Sequence, residues 1–196
     1  RPPVVAPSIV VPAAPHPADS VDPAGASKAG STDSHLYTQT NETVNKIIHY
    51  ARRPDGTLLE VERVSTGGRG TNGYKFLTGQ NSAPDTLVSA AAIAMSADHR
   101  LLFAVNAADS SVSSFAVDKD GKLKLLDRKP TGESAPPTAV AYNARARTLY
   151  VMHLTGPNHI RSFTEKDGML TATGKAYTLN TPQFTHRIPS QIISSA

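Results

Sequence analysis

From His35 onward, hydrophobic and polar residues alternate in short runs, and this pattern recurs three times along the chain. Each copy contains an apolar run with an aromatic residue, a second apolar run, an Asp-Gly pair and a third run. Alternation with a period of two is typical of β-strands. An Asp-Gly pair favours the positive φ angles of a tight hairpin. Each copy is therefore predicted to fold as strand, loop, strand, turn and strand.

The spacing within the copies is nearly constant. The aromatic residue and the turn glycine are 19, 18 and 18 residues apart in the pairs Tyr37–Gly56, Phe103–Gly121 and Tyr150–Gly168. Ala-rich segments at 92–100 and 139–147 precede the second and third copies, and their small side chains suit a crowded inner strand. Four antiparallel strands that repeat every 47 residues, as from Gly121 to Gly168, predict an all-β fold, a β-propeller of four-stranded antiparallel blades.

The repeats also predict the domain organisation. Three blades are expected at 35–68, 86–133 and 137–180, and a further inner strand is expected to start within 189–196. Residues 1–34 contain seven of the 15 prolines and are predicted to form an extended segment, because proline fixes φ and lacks an N–H donor. The apolar residues 8–11 of this segment either follow a sheet edge or belong to a mobile leader.

Composition and charge exclude several classes of function. The 20 Lys and Arg residues against 16 Asp and Glu give a net charge of +4, but the basic residues are scattered, so no nucleic-acid partner is predicted. No stretch approaches the roughly 18 apolar residues of a membrane helix. The chain has no Cys, and no His, Asp and Glu set has metal-binding spacing, so no cofactor or metal is predicted. The mildly basic surface favours a small acidic molecule or a carbohydrate as partner.

The repeats resemble the lactonase-type seven-bladed β-propellers, which include 6-phosphogluconolactonase-like and fungal 3-carboxymuconate cyclase-like proteins. The resemblance covers residues 36–196 and rests on blade motifs at 37–41, 54–58, 67–71, 102–107 and 112–115. It implies a ring roughly twice as long as this chain. We therefore expect the N-terminal portion, about half of a seven-bladed ring, completed by the rest of a longer chain or by a second chain. Blade motifs specify a fold and not a reaction.

In such a ring the ligand-bearing face is expected to carry the second-to-third-strand loops and the connectors between blades. A lactonase needs a base, and it needs cations to hold an anionic group. The candidate catalytic residues are the histidines of these loops, His153, His159 and His186. The candidate substrate-binding residues are Arg69, Asn106, Asn158 and Arg187. The Gly-rich segment 67–73 either brings backbone N–H groups to an anion or forms an exposed loop.

One glycosylation sequon, Asn41-Glu42-Thr43, falls in a predicted loop. Together with the Pro-rich start and the similarity to secreted fungal relatives, it predicts a glycan at Asn41. The protein is therefore expected to be a secreted glycoprotein, extracellular or in the cell wall.

Two functions compete at this point. The first is enzymatic: a lactonase or muconate cycloisomerase-like enzyme that hydrolyses or cyclises an acidic lactone-type substrate. The alternative is a non-catalytic secreted or cell-wall binding propeller, or a surface antigen. The enzyme is favoured if His153, His159, His186 and Arg69 converge on the central channel.

Overall fold

The computed structural model describes residues 34–195 and folds them into three antiparallel β-sheets without a helix. The first sheet consists of β1 (Ser34–Gln39), β2 (Lys46–Arg52) and β3 (Leu58–Ser65). The second consists of β4 (Ile93–Met95), β5 (Leu101–Asn106), β6 (Ser111–Val117) and β7 (Leu123–Pro130). The third consists of β8 (Pro137–Asn143), β9 (Thr148–His153), β10 (Ile160–Lys166) and β11 (Met169–Tyr177). The all-β prediction is confirmed.

The sheets are arranged as neighbouring blades. Strands pair in chain order within each sheet, inner strand β4 contacts inner strand β8, and outer strand β7 contacts both β3 and β11. The extended segment predicted at 1–34 lies outside the described residues, except for Ser34, which begins β1. Residues 189–195 have no strand pairing in the structure, and the inner strand predicted there stays a prediction.

Strand β5 shows how the alternating pattern builds two cores. Phe103 and Val105 face the third sheet and join a buried cluster with residues of β8, β9 and β10. Leu102 and Ala104, on the opposite face of the same strand, pack with residues of the first sheet. Successive side chains of a strand point to opposite faces, so the period of two gives this central blade one buried face towards each neighbour.

The Asp-Gly turns lie where the sequence places them. Gly121 donates its N–H to the carbonyl oxygen of Asp118 at 3.0 Å and has a φ of +74°. Gly56 and Gly168 have φ angles of +88° and +82° in the equivalent turns. These values lie in the region that glycine adopts without steric cost, so the predicted hairpin turns are confirmed.

Candidate functional site

Two kinds of connection meet on one face of the three sheets, here called the loop face. They are the loops 40–45, 107–110 and 154–159 and the connectors 66–92 and 131–136. Hydrogen bonds join them: Asn45 N–H donates to Gly68 O at 3.1 Å, and Leu154 N–H donates to Pro136 O at 2.8 Å. The hairpin turns lie on the opposite face, here called the turn face.

Between the first and second sheets, the loop face contains a buried polar network around Asn106. The Asn106 carboxamide oxygen accepts hydrogen bonds from Thr66 Oγ1 at 2.6 Å and Asn45 Nδ2 at 2.9 Å. Its amide nitrogen donates to Ser111 Oγ at 3.0 Å and Ser113 Oγ at 2.9 Å. Asn106 is fully buried. Every hydrogen-bonding position of its side chain is used within the protein, so the geometry favours a structural role over the predicted substrate contact.

The same positions carry different residues between the second and third sheets. Thr131 N–H donates to Ser110 O at 2.8 Å, as Thr66 N–H donates to Asn45 O at 2.9 Å, so the two connectors are in the same register. This register places Glu133 at the position of Gly68. His153 ends β9 as Asn106 ends β5, and Arg161 is paired across the sheet as Ser113 is.

The substituted residues form a charged cluster. The Arg161 guanidinium is ion-paired with the Glu133 carboxylate, and both side chains are largely buried, with 22% and 14% of their surface exposed. Charge-assisted pairs of this kind hold both partners in a fixed geometry. Sheets two and three therefore have an ion pair at the positions where sheets one and two have the uncharged residues Gly68 and Ser113.

His153 lies beside this pair and keeps one nitrogen free. Its Nδ1 lies 3.2 Å from the carbonyl oxygen of His159, which makes Nδ1 the protonated nitrogen. Nε2 is buried and has no partner among the described residues. Burial lowers the pKa of His153 to about 4, the nearby Arg161 acts in the same direction, and the Glu133 charge opposes it. At neutral pH the imidazole is uncharged and carries an unused lone pair.

A cavity opens on the loop face next to this cluster. Its volume is about 310 Å³, and Glu133 is the one ionisable group among the described residues that line it. The other lining residues come from three segments of the loop face: Phe76, Leu77, Ser134, Ala135, Pro136, Leu154, Thr155, Gly156 and Pro157. The cavity therefore brings the connector 66–92, the connector 131–136 and the loop 154–159 to one place.

The second predicted histidine, His159, has both nitrogens occupied by the backbone. Nδ1 accepts a hydrogen bond from Leu179 N–H at 3.1 Å, and Nε2 donates to Arg187 O at 3.0 Å. The ring is fully buried. His159 thus fastens the segment 178–188 to the third sheet and has no free nitrogen for a substrate.

The remaining predicted residues do not join the cluster. His186 is exposed, with Nδ1 3.0 Å from Thr185 Oγ1, and the exposed Arg187 lies over the Phe184 ring at 5.0 Å. Arg69 is exposed in the connector after the first sheet, where its N–H bonds Asp109 Oδ2 at 3.1 Å. Asn158 is partly exposed in the loop 154–159. No convergence of the three histidines with Arg69 is observed, and these site assignments stay predictions.

The side chain of Asn41 links the loop 40–45 to the connector 66–92 by hydrogen bonds. Its Nδ2 donates to Thr71 Oγ1 at 2.7 Å and Thr86 Oγ1 at 3.2 Å, and its Oδ1 accepts from Thr71 N–H at 2.8 Å. Asn41 also adopts a φ of 56°, a conformation that Asn tolerates better than most residues. Both hydrogens of Nδ2 are engaged, so the geometry disfavours a glycan on this atom. Glycosylation at Asn41 stays a prediction.

Two variants distinguish the hydrogen bonds of the Asn41 side chain from the sequon as the source of stability. We expect Asn41→Asp to lower the free energy of unfolding by about 2 kcal/mol, because the new carboxylate oxygen cannot donate and faces Thr71 Oγ1, whose hydrogen is already donated to Thr86 Oγ1. Thr43→Ala abolishes the sequon but leaves Asn41 in place, and Thr43 is exposed, so this control is expected to unfold like the wild type. Chemical denaturation of material from the native source measures both. A loss of stability in Thr43→Ala would instead point to a glycan.

The turn face holds two further cavities, of about 500 and 710 Å³. Glu165, beside the first, is buried and accepts hydrogen bonds from Tyr142 Oη at 2.7 Å and Gly168 N–H at 2.7 Å. At the second, His35 Nδ1 lies 2.9 Å from Nε2 of the buried His49. Burial lowers the pKa of His49, and the neighbouring His35 adds to this effect. These groups tie adjacent strands and turns together.

Sequence reasoning missed Glu133 and Arg161. They lie 28 residues apart in the chain, and neither belongs to a recognisable motif. The signal that finds them is the register of the repeats, because charged residues stand where the preceding blade has Gly68 and Ser113. Within residues 34–195, no group of three His, Cys, Asp or Glu side chains is arranged to hold a metal ion. The same residues contain no helix that could cross a membrane.

The comparisons with known proteins agree with this fold. The family model described as "Lactonase, 7-bladed beta-propeller" matches residues 27–186. No curated protein matches the sequence significantly.

Two solved structures show the same fold. One is a Bacteroides fragilis protein assigned as a 6-phosphogluconolactonase, with 22% identity and a TM-score of 0.50 over 71% of this chain and 35% of that one. The other is a periplasmic gluconolactonase of Pseudomonas aeruginosa, with 19% identity and a TM-score of 0.51 over 70% and 35% of the two chains. The matched region thus spans about a third of the length of either protein.

Proposed function

Because the chain belongs to the lactonase family of seven-bladed β-propellers, we propose that the protein binds a lactone on the loop face and opens its ring with water. The observation that carries the proposal is the carboxylate of Glu133, which lines the 310 Å³ cavity and is ion-paired with Arg161 beside His153. The pair stands where the neighbouring blade interface has the uncharged residues Gly68 and Ser113. A carboxylate that lines a cavity and is held by a buried cation is a candidate for catalysis.

In this proposal Glu133 is the catalytic residue, because it lines the cavity. Water adds to the lactone carbonyl carbon while the Glu133 carboxylate accepts a proton from that water. The ring C–O bond then breaks, and the proton passes to the leaving ring oxygen, which gives a hydroxy acid. Arg161 is a positioning residue that holds the carboxylate. His153 is fully buried and does not line the cavity, and its uncharged imidazole lies beside the pair as part of its surroundings.

The acidic substrate expected from the sequence requires a cation for its carboxylate or phosphate group, and no Lys or Arg is among the described residues that line the cavity. Arg69 and Arg187 are exposed, and we propose them as contacts for a carboxylate or phosphate group, which arginine binds with two parallel hydrogen bonds. The secreted or cell-wall location stays a prediction. The hydrogen bonds of Asn41 Nδ2 disfavour the glycan that was part of the argument for secretion.

A variant of Glu133 tests the enzymatic proposal. We expect Glu133→Gln to lower kcat/KM for lactone hydrolysis by at least about a hundredfold, the usual contribution of a general base. Glu60→Gln is the matched control, because the exposed Glu60 pairs with Arg63 on the outer strand β3. Hydrolysis of neutral and phosphorylated lactones, followed by proton release in weak buffer, gives the rates. Equal rates for Glu133→Gln and the wild type would contradict the role of Glu133.

A non-catalytic binding propeller is the second candidate function. The observation that favours it is that the backbone occupies both nitrogens of His159 while His186 lies exposed. In this case the same face binds a small molecule without turnover. Binding of a lactone and its hydroxy acid with equal affinity, without hydrolysis by the wild type, would favour this alternative.

A further inference from the structure

The connector 66–92 contains a short hairpin at 73–83 that reaches the cavity of the loop face. Lys75 and Gln80 form an antiparallel bridge, and Ala83 N–H donates to Gly73 O at 3.0 Å. The base of the hairpin is held by the hydrogen bonds of Asn41 to Thr71 and Thr86. The hairpin is therefore a positioned element of the fold.

The tip of this hairpin presents apolar side chains to the cavity. Phe76 and Leu77 line it, and each has 39% of its surface exposed. The Phe76 ring packs edge-on against Tyr74 with ring centroids 5.1 Å apart, an arrangement that holds both rings. Across the cavity lie Pro136 and Leu154, which are also apolar.

The charges around the cavity limit which chemical groups of a ligand can bind against Phe76 and Leu77. No Lys, Arg or His is among the described residues that line it, and the carboxylate of Glu133 is neutralised by Arg161. A phosphate or carboxylate placed against Phe76 would lose its hydration without gaining a cation. The cavity volume of about 310 Å³ is at the small end of the roughly 300–1,000 Å³ of ligand pockets, which indicates a small molecule.

We propose that Phe76 and Leu77 are specificity-determining residues that bind an uncharged, apolar substituent on the ring of the lactone. This inference rests on the proposed function. Any acidic group of the substrate then points away from the hairpin and out of the cavity. Glu133, at the same cavity, faces the lactone carbonyl, while the apolar substituent fills the space between the hairpin tip and Pro136.

A pair of lactones that differ only in an alkyl chain tests the inference. We expect the protein to open δ-octalactone with a kcat/KM at least about tenfold above that of δ-valerolactone, since each buried methylene contributes to binding. Phe76→Ser is expected to reduce this preference to below about threefold, because kcat/KM falls more for δ-octalactone than for δ-valerolactone. Tyr177→Ser is the control, because Tyr177 is exposed at the end of β11 and should keep the wild-type preference.

The outcomes separate this inference from the proposed function. Turnover of both lactones at equal kcat/KM, or an unchanged preference in Phe76→Ser, overturns the role of the hairpin and leaves the lactonase proposal standing. If neither lactone is opened, binding is measured by ligand-observed NMR with the same two molecules. If δ-octalactone binds more tightly and Phe76→Ser abolishes the difference, the role of Phe76 and Leu77 is supported. The enzymatic proposal fails in that case. Binding of neither molecule overturns both.

Discussion

Lowering the pH from 7 to 4 is expected to destabilise the protein by about 3 kcal/mol through His153 alone. Burial lowers the pKa of His153 in the folded state to about 4, whereas an unfolded histidine titrates near about 6.5. The unfolded chain therefore binds a proton before the folded protein does. The stability that the neutral imidazole provides is complete above the unfolded pKa and is lost progressively as the pH falls towards 4.

Urea unfolding at a series of pH values measures this effect. We expect His153→Asn, in which the amide can still donate to His159 O, to have a lower stability at pH 7 and a pH dependence about 3 kcal/mol smaller between pH 7 and 4. His186→Asn is the control, because His186 is exposed and its replacement should leave the pH dependence unchanged. The explanation is incorrect if wild type and His153→Asn lose the same free energy on acidification. His153→Gln provides a second variant if the first does not fold.

The fold follows closely from the sequence because its signals are local. Alternating residues place Phe103 and Leu102 on opposite faces of β5, and that alternation is visible in any window of a few residues. The glycine of each Asp-Gly pair adopts the positive φ that its turn requires. The family resemblance rests on the same blade motifs, and the match over residues 27–186 confirms it. Because propeller blades repeat one local pattern, a strand that is ambiguous in one copy of the sequence can be assigned from the equivalent strand of another copy.

The candidate site was harder to predict because its contacts join distant segments. His159 has a suitable side chain in a suitable loop, yet its nitrogens bond backbone atoms of Leu179 and Arg187, 20 and 28 residues further along the chain. Residue type carries no information about such a partner. The same limit applies to Glu133 and Arg161, whose pairing depends on how two sheets pack.

Comparison between blades gives the missing information. Asn106 and His153 occupy the same end of equivalent strands, but the side chain of Asn106 is fully hydrogen-bonded and Nε2 of His153 has no partner within residues 34–195. Native proteins rarely bury an unpaired polar atom without a reason. Equivalent positions of a repeat protein can thus be compared directly, and here the position of His153 departs from the fully hydrogen-bonded position of Asn106. That departure is the argument for a functional role of His153 and Glu133.

Replacing Asn106 tests the structural half of this comparison and is expected to have the largest effect on stability. In Asn106→Asp the nitrogen that donates to Ser111 and Ser113 becomes an oxygen. Both serine hydroxyls already donate elsewhere, Ser113 Oγ to Thr66 O at 2.7 Å and Ser111 Oγ to Asp109 Oδ1 at 2.7 Å. The new oxygen therefore faces two acceptors in a fully buried position. We expect a loss of about 4 kcal/mol, the range for a buried, uncompensated charge.

The pH dependence of this variant identifies the cause of the loss. Burial, together with the two serine oxygens that face the new carboxylate oxygen, raises the pKa of the introduced carboxyl in the folded state, so the folded form takes up a proton at a higher pH than the unfolded form. The deficit relative to wild type should therefore shrink as the pH falls from 7 towards 4. Asn158→Asp is the matched control, since Asn158 is a partly exposed asparagine of the same face, and a change of within about 0.5 kcal/mol is expected. A deficit independent of pH would mean that Asn106 acts through packing, and its network would no longer serve as the structural reference for the Glu133, His153 and Arg161 cluster.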